Sequence, residues 1–147
     1  MRDALGGTVA LVIIVVFIVI ALGYMAFNVN YTKAFRMKDK IITLYENYDG
    51  NCNSECESKI TDYAKSIGYE SVKGNWCSGT PKISGLYCEK AVNVSGQKCS
   101  KGVACDLKDR RYFHIETRVN IDIPIIRNVL PIDVFTVSGD TKTMVVK

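Results

Sequence analysis

The chain has 147 residues, 48% of them hydrophobic, with 19 Lys and Arg against 15 Asp and Glu, a formal net charge of +4 and six cysteines. That length holds one small domain beside any segment set apart by composition. So modest a charge, scattered and without an aromatic-basic stripe or a binding motif, excludes nucleic acid as the expected partner.

Residues 8–27, TVALVIIVVFIVIALGYMAF, are twenty consecutive positions without a charge. As an α-helix rising about 1.5 Å per residue they cover about 30 Å, the thickness of a bilayer's hydrocarbon core. The charge-free stretch runs in full from Ala4 to Thr32, with neither Glu nor Asp in it. A cleaved signal peptide has a shorter apolar core followed by a small-x-small site, and the nearest match, Ala21-Leu22-Gly23, is embedded in apolar sequence. The expectation is a retained transmembrane helix over 8–28, preceded by a short cytoplasmic stretch, 1–7. Gly23, Tyr24, Asn28 and Asn30 mark its exit from lipid, and Tyr24 and Tyr31 suit the interface with an apolar ring and a polar tip. Gly7, Ala10, Ala21, Gly23 and Ala26 permit close backbone approach and are the helix-packing candidates.

Ala34, Met37, Ile41, Leu44, Tyr45 and Tyr48 then recur at intervals of three and four, which predicts that the helix continues as an amphipathic stalk over 29–50 and ends at Asp49-Gly50. Lys33, Arg36, Lys38 and Lys40 lie on this stalk. They either attract anionic head groups at about 1 kcal/mol each or form a solvated helix face.

Residues 51–147 hold all six cysteines, Cys52, Cys56, Cys77, Cys88, Cys99 and Cys105. An even number in a small glycine-containing region predicts disulfide staples and therefore an oxidising compartment. Structural zinc, the alternative, prefers close ligand pairs, whereas the intervening stretches here are three, twenty, ten, ten and five residues. Sequence does not select the pairing; local closures of Cys52 with Cys56 and of Cys99 with Cys105 are among the possibilities. The basic residues after the span point the other way, since the positive-inside rule would put residues beyond it in the cytoplasm. The cysteines weigh more, because a reducing cytoplasm gives six clustered thiols no evident task, so the domain is expected outside.

Within that region Ser54-Glu55-Cys56-Glu57 has the S-x-x-E form of a capping box. Cys56, Ile60, Tyr63, Ala64 and Ile67 keep helical spacing up to Gly68, which predicts a short second helix. Residues 84–94 are expected as a strand, and Ser95 to Asp109 as a loop pinned by two cysteines. In Tyr112 to Ile123, Phe113, Ile115, Val119, Ile121 and Ile123 alternate with His114, Glu116, Arg118, Asn120 and Asp122, the pattern of a strand with one buried face. Ile132 to Val137 and Thr143 to Val146 are expected as two more strands around a turn at Ser138-Gly139-Asp140. The fold class is α+β: a long N-terminal helix, a short second helix and a small, mostly antiparallel sheet with disulfides.

An apolar helix running unbroken into YTKAFRMKDK (Tyr31 to Lys40), with a small domain ending in IDIPIIRNVLPIDVFTVSG (Ile121 to Gly139), resembles the TadE-like proteins of bacterial tight-adherence pilus systems and, in plan, type IV pilin-like subunits. The resemblance implies a membrane-anchored structural subunit or assembly factor of a surface pilus or secretion system, its helix packed against partner helices and its head outside. A single-pass surface adhesin acting without a filament is the second expectation. Catalysis is not expected: the sole histidine, His114, sits on the solvent phase of its strand, and neither a phosphate loop, H-E-x-x-H, G-x-S-x-G nor C-x-x-C occurs. The expected partners are the lipid bilayer and other subunits; no cofactor or metal is expected.

Overall fold

The computed structural model describes residues 2–71, 76–93, 110–119 and 135–145. Helix α1 spans Arg2–Asn47, 46 residues without a break, about 69 Å of rod. Every large apolar side chain from Val9 to Ile20 is 38–71% exposed. Lower down, Ala34, Met37, Ile41, Leu44 and Tyr45 are buried. One helix thus has two environments, and the boundary falls where the sequence passes from uniform apolarity to spacing of three and four.

The chain reverses after Asn47 through two left-handed residues, Asp49 (φ 49°) and Gly50 (φ 76°), with the Gly50 N–H donating to Tyr45 O at 2.8 Å. Helix α2 follows, Ser54–Ile67. Its N-cap is Asn53, whose side chain accepts from the Cys56 N–H at 3.0 Å. The expected Ser54–Glu57 capping box is therefore corrected by one residue: Asn53 is an equally good cap and takes the position first. Gly68 closes α2 in the left-handed conformation (φ 62°, ψ 43°), its N–H and that of Tyr69 taking Lys65 O and Ala64 O. Cys56, Ile60 and Ala64 form the buried face of α2, and the Lys40 ammonium lies 5.6 Å from the Tyr63 ring.

Strands β1 (Thr80–Lys82), β2 (Tyr87–Asn93), β3 (Arg110–Val119) and β4 (Phe135–Asp140) make an antiparallel sheet in that order, and β5 (Met144–Val145) also pairs with β3. In β3 the buried positions are Phe113, Ile115, Thr117 and Val119, alternating with half-buried Tyr112, His114, Glu116 and Arg118, as the alternation predicts. Residues 120–134, including the remainder of that predicted strand, lie outside the described residues. Strand β1 was not expected from sequence.

The predicted turn at Ser138-Gly139-Asp140 is corrected: these residues lie in β4, opposite Glu116, Ile115 and His114. The register of β5 is offset by one residue from that of β4 on the same partner, the mark of a bulge rather than a hairpin. At the offset Thr141 holds Phe113 by both backbone and hydroxyl, with distances of 3.0 and 2.9 Å. Gly139 serves packing. A Cβ there would come within 3.0 Å of Ile42 Cδ1 and Lys38 Cδ, so its lack of a side chain lets α1 cross close over the sheet.

The core lies between the lower half of α1 and the inner sheet face, joining Met37, Ile41 and Tyr45 to Tyr87, Phe113, Ile115 and Val137. Two polar links run through it. Thr117 Oγ1, fully buried, donates within reach of Ala34 O (2.9 Å) and Val137 O (3.2 Å). The Tyr45 hydroxyl donates to Glu89 at 2.8 Å and sits 2.9 Å from that of Tyr87. Having one proton, Tyr45 accepts from Tyr87. Burial foremost pushes both phenols well above their ordinary range.

Candidate functional site: the junction of span and head

Four cysteines are paired, Cys52 with Cys56 and Cys77 with Cys88, at Cα separations of 5.2 and 5.6 Å. The first closes the turn between α1 and the first turn of α2, and the second ties β2 to the segment leading into β1. Four of the six sulfurs are thus engaged covalently and are not a zinc set. Cys99 and Cys105 lie outside the described residues, and the proposed closure between them with them.

The helix-packing candidates all lie on α1 but not on one stripe. At about 100° per residue, Gly7, Ala10 and Ala21 fall within about 60° of one another, on the side opposite Ala34, Met37 and Ile41. Gly23 and Ala26 fall on the sheet side. Around Gly7 nothing lies within 4 Å of an added Cβ.

Where the apolar half of α1 meets the head, aromatic rings gather. Phe27 stacks on Tyr31 at 6.1 Å and meets Phe135 of β4 edge-on at 5.6 Å, while Tyr31, Phe35 and Phe135 are 42–43% exposed. This collar suits a membrane–water boundary. Tyr24, expected at the exit, is 68% exposed one turn above it.

The four basic residues after the apolar run divide by role. Lys38 is 9% exposed, pairs with Asp39 at 2.9 Å and lies 4.1 Å from the Phe35 ring centre. Lys40 rests on Tyr63, and Lys33 donates to Gly68 O at 3.2 Å. Arg36 stays exposed. Lys33 and Lys40 thus reach across to α2, Lys38 pairs within α1 while its stem packs over Gly139 of β4, and Arg36 is the exposed member of the cluster.

On the outer sheet face His114 is less simple than expected. Its Nδ1 contacts Asp140 Oδ1 and its Nε2 lies 3.4 Å from Glu116 Oε1, while Ser78 donates to Glu116 from both its backbone N–H and its hydroxyl. Register explains the grouping, since Glu116 is two residues along from His114 on one face and Asp140 is directly opposite it. The set links three elements across the solvent side of the sheet. Among the described residues, no group of three or more His, Cys, Asp or Glu is arranged to hold a metal ion.

Missed from sequence were Phe135 as the partner of Phe27 and Tyr69 as a strand cap: the Tyr69 hydroxyl bonds both the N–H and the C=O of Arg118, each at 2.9 Å. Burial pushes its phenol up to about 12, against the opposing pull of Arg118. Neither contact has a local signature. The chain matches no family model, no curated protein and no solved structure.

Proposed function

We propose that the chain is a membrane-anchored, minor-pilin-like structural subunit or assembly factor of a bacterial surface pilus or secretion system, with its disulfide-stapled head outside the cytoplasm. One observation carries this reading. The same uninterrupted helix is an unpacked apolar rod through its first half and the spine of the sheet domain through its second. That division suits a subunit whose rods bundle while their heads face outward. The Gly7, Ala10 and Ala21 side of α1 points away from its own sheet, where a neighbouring helix approaches unobstructed, and it supplies the small residues such packing needs.

The paired cysteines support the outside location. The contrary signal of the basic residues loses weight because Lys33 and Lys40 reach α2 and the Lys38 stem packs over Gly139 of the sheet.

The absence of any acidic residue from Ala4 to Thr32 favours a second reading. Pilins carry a glutamate near the start of the mature helix, and without it the chain acts as a single-pass adhesin or binding module. Crosslinking in intact cells followed by pull-down separates the two. Specific partners joined through α1 are expected for the pilus subunit, and recovery of the chain alone would favour the adhesin.

A further inference from the structure

Just past the apolar rod, α1 and the C-terminal end of α2 enclose a groove of about 490 Å³, lined by Asn28, Val29, Thr32, Lys33 and Arg36 and by the Ser66–Ile67 end of α2. Its lining has two characters. Val29 and Ile67 give an apolar wall, the Asn28 amide gives a hydrogen-bonding group, and Lys33 and Arg36 give two positive charges; the Thr32 and Ser66 hydroxyls donate to Asn28 O and Tyr63 O, each at 2.7 Å, and no carboxylate lines the groove.

The charges are placed rather than adrift. Lys33 is held by Gly68 O, which uses one of its three N–H groups and leaves two for a ligand. Arg36 has no ion pair among the described residues, so its five-donor fork is available for a phosphate. The end of α2 would ordinarily repel an anion through its exposed carbonyls. Here two of the last four carbonyls, Ala64 O and Lys65 O, are taken by Tyr69 and Gly68, and Gly68 O just beyond them by the Lys33 ammonium, which lessens that repulsion.

Depth narrows the occupant. With the apolar run ending at Phe27, Asn28 to Arg36 rises about 12 Å, and the head-group layer outside the hydrocarbon is about 5–7 Å thick. The Asn28 to Lys33 wall thus stands at head-group level, beside the Phe27, Tyr31 and Phe135 collar, and Arg36, one turn farther out, reaches back to it through a side chain that lines the same groove as Asn28 and Val29.

The geometry points to a binding site for one anionic phospholipid, its phosphate between Lys33 and Arg36 and an acyl chain descending past Val29. This rests on the membrane-anchor part of the proposed function. The test uses the full chain in vesicles of phosphatidylcholine with or without phosphatidylglycerol: flotation reports insertion, and native mass spectrometry of the gently solubilised protein counts retained lipid. Flotation with both compositions and selective retention of phosphatidylglycerol are expected. Arg36→Gln should lower that selectivity about fivefold, the factor for one basic residue at an anionic surface, and Arg36→Lys should keep most of it.

Equal retention of both lipids, or selectivity untouched by Arg36→Gln, overturns the site while leaving the anchor standing. Displacement of the lipid by millimolar inorganic phosphate would make the site one for a soluble anion and overturn the lipid assignment. Salt-sensitive dimers in lipid-free detergent that vanish in Arg36→Gln would make a second copy the occupant. Failure to float overturns the anchor and the site together.

Discussion

At the scale of single residues, polar atoms inside the core offer sharp tests. Tyr45→Phe removes the hydroxyl that joins Tyr87 to Glu89 while keeping the ring against Phe113 at 5.3 Å. The expected loss is about 1 kcal/mol of stability, because Tyr87 and Glu89 each lose a partner; thermal unfolding of the detergent-solubilised chain measures it. Glu46, at the end of α1, accepts from the Lys142 N–H at 2.9 Å and pairs with its ammonium at 3.3 Å. The backbone bond foremost, then the Lys142 side chain, holds the carboxyl below its ordinary value of 4.5. A lowered carboxylate contributes stability that is complete above its unfolded value and lost as pH falls through the folded one. Glu46→Gln should therefore flatten the acid limb of a stability-versus-pH profile and leave the neutral region little changed in slope. Two glycines differ in a useful way. A Cβ at Gly79 would run into the backbone of Glu89, whereas one at Gly139 meets only the ends of Ile42 and Lys38. Gly79→Ala is expected to cost about 1–3 kcal/mol by prising β1 from β2, and Gly139→Ala distinctly less.

At the scale of elements, α1 was the most legible part of the chain, because its two halves announce themselves by two patterns, unbroken apolarity and then Ala34, Met37, Ile41, Leu44 at helical spacing. Helix α2 was equally plain, and β3 declared its buried face. Other elements were obscure for physical reasons. Strand β1 is only Thr-Pro-Lys, too short for a period and carrying a proline that reads as punctuation. Gly139 looked like a turn because glycine serves tight turns and close packing alike, and only the helix crossing above it tells them apart. The groove at the junction was half visible: Lys33 and Arg36 stood out as charges, but Ser66 and Ile67 arrive from some thirty residues away along the chain.

The two staples should not contribute equally. The closed loops span separations of 4 and 11 residues, so a chain-entropy account assigns about 2 kcal/mol to Cys52–Cys56 and about 3 kcal/mol to Cys77–Cys88. Unfolding of paired Cys→Ala variants checks the ranking. For the rod, Ile13→Arg together with Phe17→Arg adds about 5–7 kcal/mol against insertion, comparable with what its remaining apolar residues supply, and the carbonate-resistant membrane fraction should fall away. Gly7→Leu should weaken lateral association more than Gly23→Leu, because Gly7 faces away from the head's own sheet; crosslinking yield in membranes compares them.

At the scale of the whole molecule, side determines chemistry. With the head outside, a membrane-impermeant thiol reagent should label Cys52, Cys56, Cys77 and Cys88 on intact cells only after reduction, since these four are paired. Labelling without reductant and only after lysis would place the head in the cytoplasm.

No joint interrupts α1 between its exposed apolar half and the sheet it carries. A tilt of about 20°, ordinary for a single span, would therefore swing the head as a lever and lay one flank of it down toward the membrane. Bilayer thickness would then set which flank a neighbour meets, making lipid composition a steering input to assembly without any moving part in the protein.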